Sequence, residues 1–112
     1  MATPLTLNSI RGSDGTPRLV AEGEIDLSNV ESFTQALDAT ISESADAGAV
    51  TIDLSAVEYL DSAAINVLSV HADDVKSMRL IAHPYLMTVL TISGLTELAD
   101  VEPAQRDSDA DG

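Results

Sequence analysis

The sequence predicts one α/β domain, a four- to five-stranded mixed, largely parallel sheet packed against three to four helices. Three observations carry this. The 112 residues suit one domain, since domains typically run ~100–150 residues. Apolar residues make up 45% of the chain, enough for one buried core despite the high charge. Through the middle, short apolar strands alternate with amphipathic helical runs, which implies right-handed crossovers between parallel strands.

The elements follow in order. Thr3 to Ile10 places Leu5, Leu7 and Ile10 among polar residues, a weakly alternating strand. Arg11 to Pro17 is dense in turn formers and reads as a hairpin loop. Arg18 to Glu24 is a second strand, with Leu19 and Ala21 on one face and Val20 on the other. Asp26, Ser28 and Asn29 each offer a side-chain oxygen for a helix N-cap. Val30, Phe33, Leu37 and Ile41 then form one helical stripe, which ends before Asp46-Ala-Gly48. Ala49 to Leu54 is short and β-branched, a more buried strand. Ser55 to Leu60 follows and runs, as an apolar strand-to-loop segment, into Asp61-Ser62. A second helix follows, with Ala64, Ile65, Leu68 and Ala72 on one face. Ser77 to Ala82 is a fourth strand. Pro84 suits the first turn of a third helix, with Leu86, Val89, Leu90 and Ile92 on its apolar side and Gly94 as its stop. Leu95 to Val101 fits a short helix or an edge strand. The folded domain is expected over 3–102, with an acidic, disordered tail over 103–112.

Charge narrows the function. Nineteen acids against five bases give a net charge of −14. From Leu19 to Val75 there is no Lys or Arg, but there are twelve acids. Such a surface repels nucleic acid and anionic membranes, so neither is an expected partner. The P-loop and the GxGxxG fingerprint are both absent. No basic and apolar leader and no span-length apolar run is visible, which predicts a cytoplasmic protein. Without cysteine there is no disulfide, thiolate metal site or cysteine nucleophile. His71 and Asp74 offer two metal ligands at helical spacing, which is too few for a site, so a solvated polar face is expected there. Ser62, His71 and several Asp supply the parts of a hydrolytic triad, but no GxSxG elbow accompanies them. No metal or cofactor is expected.

The segment from Val57 to Leu68 is the most informative, because Asp61-Ser62 stands where an apolar strand-to-loop segment meets a helix. A serine there has two readings. It can cap the helix, contributing about 1 kcal/mol. It can also accept a phosphate, which the free N–H groups and positive dipole end of a helix N-terminus tolerate.

Three motifs then stand in register: Gly23-Glu-Ile-Asp26 ending a strand, Asp61-Ser-Ala-Ala-Ile-Asn66 opening a helix, and Ile92-Ser-Gly-Leu95 after the last helix. With this order and spacing the chain resembles the STAS domain of the bacterial anti-sigma factor antagonist family over residues ~3 to 102. The resemblance implies partner switching in transcription regulation and stress response. The unphosphorylated antagonist binds an anti-sigma factor, a serine kinase with a histidine-kinase-like fold, and so frees the sigma factor. Phosphorylation ends the complex, and a phosphatase restores it. By position Ser62 is the phosphoacceptor, and Asp26, Asp61, Ser62, Ala63 and Ala64 form the partner surface. The chain departs from the family pattern at Ala63, Ala64 and Asn66, where Ser/Thr and two glycines are usual. STAS-like domains also serve as regulatory or scaffold subunits of transporters and stress-signalling complexes without phosphorylation, and this is the alternative role.

Overall fold

The structure, a computed structural model, describes residues 4–12, 14–44 and 48–104. The element order is β1 (Thr6–Arg11), β2 (Pro17–Ile25), α1 (Val30–Ser42), β3 (Ala49–Leu60), α2 (Ser62–Ala72), β4 (Ser77–Ala82), α3 (Pro84–Ile92), a 3-10 turn (Leu95–Glu97) and β5 (Asp100–Pro103). One sheet carries all five strands in the order β1-β2-β3-β4-β5. The β1–β2 hairpin is antiparallel, and the remaining pairs are parallel. The predicted mixed, largely parallel sheet is therefore present, packed against three helices.

Each crossover steps the same way along the sheet. Right-handed crossovers taken in one direction lay every helix on one face. The burial pattern agrees. Leu19, Ile52 and Leu80 lie side by side in register and are fully buried. Phe33 and Leu37 from α1, Leu68 from α2 and Leu90 from α3 belong to the same core. On the opposite face, one row across the sheet reads Arg18, Thr51, Arg79, Asp100, and the next reads Val20, Asp53, Ile81, Glu102. Parallel sheets are usually covered on both faces. Here the open face is kept polar, and ion pairs bridge it: Arg18 to Asp53 at 3.7 Å and Arg79 to Glu102 at 2.8 Å. The second pair lowers the Glu102 carboxyl and raises the Arg79 guanidinium, through the hydrogen bond between them first and then their charges.

The structure corrects several expectations. The strand expected over Ala49 to Leu54 does not end there: β3 runs on to Leu60 beside β2. Two register shifts against β2 each insert an extra residue into β3, and this breaks the two-residue alternation that marks a strand. Ile92 was placed on the apolar side of α3 but is 79% exposed. It lies six residues from the buried Leu86, off the helical stripe. After Gly94, in the left-handed conformation at φ +86, both alternatives for the last segment occur in turn, a 3-10 turn and then an edge strand. The edge strand runs to Pro103, and the amide of Ala104 still donates to the carbonyl of Ala82 at 2.7 Å. The rest of the acidic tail lies outside the described residues, as does Asp46. Among the described residues no helix is long and apolar enough to cross a membrane.

Candidate functional site

β2 and β3 end side by side, and the loops at their carboxyl ends form one edge of the domain. Ile25 pairs with Leu60, which sets the Asp26 turn beside Asp61-Ser62. The amide of Asp61 donates to the carbonyl of Ile25 at 3.1 Å.

Asp61 is the N-cap of α2. Its Oδ1 accepts from the Ala64 amide at 3.2 Å, which satisfies one of the free donors of the first turn. Its Oδ2 accepts from the Leu27 amide at 3.0 Å, thirty-four residues away in sequence. One carboxylate thus caps the helix and ties it to the β2–α1 turn. Ser62 does not cap anything. It is the first helical residue and is exposed, and its hydroxyl has no hydrogen bond among the described residues. Of the two readings of this serine, the capping one is removed.

The turn from Asp26 to Asn29 is built from its own side chains. Asp26 Oδ1 accepts from both the amide and the hydroxyl of Ser28, at 2.9 and 2.5 Å. These two bonds, the hydroxyl first, hold the Asp26 carboxyl below its ordinary value. Asn29 Oδ1 accepts from the Asp26 amide at 2.9 Å, and Asn29 Nδ2 donates to the carbonyl of Glu24 at 2.9 Å. Asn29 stands at the N-cap position of α1 but gives the helix no side-chain cap, because its amide is turned back onto the turn. The side chain of Leu27 has no such role and stands 76% exposed. Sequence reasoning passed over it, although an apolar residue inside a run of cap formers was the available signal.

Four of the five expected partner-surface residues are brought together at this edge: Asp26, Asp61, Ser62 and Ala63. Ala64 departs from the expectation. It is fully buried, because it heads the inner stripe of α2 one turn before Leu68. Its methyl group belongs to the core, where it adds packing. Next to the edge, Glu22, Glu24 and Glu58 line a shallow groove over the β2–β3 register shifts.

The histidines have structural places. His71 was expected on a solvated face beside Asp74 but is buried at 7% exposure. Its Nδ1–H donates to the Val67 carbonyl at 2.8 Å, and its Nε2 meets Asp38 Oδ1 on α1 at 2.7 Å. Ser62 and His71 lie at opposite ends of α2, about 13 Å apart along the axis, so they form no triad. His83 caps α3, its Nδ1 accepting from the Tyr85 amide at 3.0 Å. Among the described residues no three His, Cys, Asp or Glu side chains are grouped to hold a metal ion.

Known proteins share this fold. An anti-sigma factor antagonist from Mycobacterium paratuberculosis superposes with a TM-score of 0.80 at 25% identity, over 98% of this chain and 95% of that one. The anti-sigma factor antagonist SpoIIAA in its unphosphorylated form has a TM-score of 0.66 at 14% identity, over 95% and 94%. The Bacillus cell fate determinant SpoIIAA in its phosphorylated form has a TM-score of 0.62 at 15% identity, over 95% and 97%. These last two likenesses are of fold. No curated protein matches the chain in sequence. A family model described as "Mlab, STAS domain" matches residues 8–101. That match spans most of the chain, and the protein belongs to the STAS domain family.

Proposed function

We propose that this protein is an anti-sigma factor antagonist of the bacterial cytoplasm. It binds an anti-sigma factor serine kinase through the edge carrying Asp26, Asp61, Ser62 and Ala63, and so releases the sigma factor. Phosphorylation of Ser62 ends the complex, and a phosphatase resets it. The protein is the kinase's substrate and not an enzyme. One observation carries the reading: Ser62 is exposed at the first position of α2 while its neighbour Asp61 does the capping. A phosphate on Ser62 would therefore leave the helix cap in place. It would add about −1.5 to −2 charges to an edge that is already acidic. The net effect falls on the partner, which must accommodate that charge or dissociate. The likeness to the Mycobacterium paratuberculosis antagonist supports the same reading.

The test uses a purified anti-sigma factor serine kinase of the source organism with ATP. Mass spectrometry is expected to find one phosphate on Ser62 and none on Ser62→Ala. Calorimetry is expected to show Ser62→Asp binding the kinase at least about tenfold more weakly than wild type, about 1.4 kcal/mol. Phosphate elsewhere in the chain, or equal affinities, would overturn the switch.

A further inference from the structure

We infer that Leu27 is an apolar anchor for the protein partner, inserted into an apolar pocket with a basic rim. The inference rests on the antagonist reading and names the contact beside Ser62 that the reading leaves open. A lone exposed leucine is ordinary on a protein surface. Leu27 differs in how it is held. The side chains of Asp26, Ser28 and Asn29 are all spent on hydrogen bonds inside the turn, and the Leu27 amide itself is fixed by Asp61. Three polar side chains and a helix-capping carboxylate thus hold one apolar side chain out in water at 76% exposure. A turn fixed in this way loses little backbone entropy on docking, so more of the burial of Leu27 goes into affinity.

Charge sets the chemistry of the pocket's surroundings. Glu24, Asp26, Glu58 and Asp61 lie at this edge, and no Lys or Arg occurs from Leu19 to Val75. The described bases stand at the other end of the sheet: Arg11 ends β1, Arg18 begins β2, Lys76 precedes β4 and Arg79 lies in its first half. Arg11, Arg18 and Arg79 each lie beside an acid there. A complementary partner therefore presents bases around the pocket that receives Leu27. Because the Leu27 amide is bonded to the residue before Ser62, the anchor and the phosphoacceptor belong to one contact.

Calorimetry against the purified anti-sigma factor serine kinase tests this with wild type, Leu27→Ala, Leu27→Met and Ile92→Ala. Leu27→Ala is expected to bind at least about tenfold more weakly, with a melting temperature close to wild type because the side chain is 76% exposed and lies outside the core. Leu27→Met, which keeps the apolar volume, is expected to stay within about threefold of wild type. Ile92→Ala, equally exposed but at the far end of α3, is expected to bind like wild type. A kinase that binds wild type and Leu27→Ala equally overturns the anchor and leaves the antagonist reading standing. A kinase that ignores wild type overturns both.

Discussion

Single residues at the edge divide their labour in a way their order in the chain does not reveal. Asp61 and Ser62 are equally good caps on paper, yet only Asp61 reaches the Ala64 amide. The motif Gly23-Glu-Ile-Asp26 has a similar hidden logic. Gly23 sits at φ +108, and a Cβ there would overlap the carbonyl oxygen of Pro4. The glycine admits the incoming N-terminal segment against β2 and adopts a backbone conformation that other residues pay for. Gly23→Ala is expected to destabilise the fold by about 1–3 kcal/mol from the backbone conformation alone, with the overlap adding to it. Urea unfolding would check this, and a midpoint equal to wild type would sink it. His71 shows what was legible and overlooked. Ala64, Leu68, His71 and Ala72 repeat at helical spacing, so His71 belongs to the inner stripe by position. Its polarity drew it to the surface in the sequence reading. Asp38, the partner that lets it stay buried, lies thirty-three residues away, at a distance no local pattern encodes.

At the scale of elements, the helices were legible because their stripes repeat every three to four residues, and Gly94 marks the end of α3 plainly. The long β3 was not. Its second half pairs with β2 through two extra residues, so buried Val57 and Leu60 stand three apart and mimic a loop. That extension nevertheless delivers Asp61-Ser62 to the Asp26 turn, while β4 stops opposite Leu54. The helix that follows depends on its cap. Asp61→Ala is expected to cost about 1–2 kcal/mol, since it removes the α2 cap and also the tie to the exposed Leu27 amide. Ser62→Ala is expected to leave stability unchanged within about 0.5 kcal/mol, since that hydroxyl makes no hydrogen bond among the described residues. Thermal unfolding of the pair would decide between the two caps, and equal losses would contradict the assignment to Asp61. Ala64 suits the same element: in a helix alanine is more favourable than the usual glycine by about 1 kcal/mol. The departure from the family pattern at Ala64 therefore stiffens the first turn of α2 next to Ser62.

For the whole molecule, the net charge of −14 first served to exclude nucleic acid and membrane. In the fold the described bases stand at one end of the sheet, and at the other the acids of the Ser62 edge have no Lys or Arg ion-pair partner among the described residues. Such a molecule repels itself, and salt relieves the repulsion once the screening length falls below ~10 Å. The melting temperature is therefore expected to rise by a few degrees from about 20 mM to about 500 mM NaCl. A fall would mean that the ion pairs of the open sheet face outweigh the repulsion. The strand order has another consequence, in time rather than in space. Strands take their places in the sheet in the order in which they occur in the chain. Each parallel pairing closes a loop about one helix long, so none waits on a distant segment. The sheet can accordingly grow from its amino end, each β–α unit laid against a neighbour that already exists, as the chain leaves the ribosome.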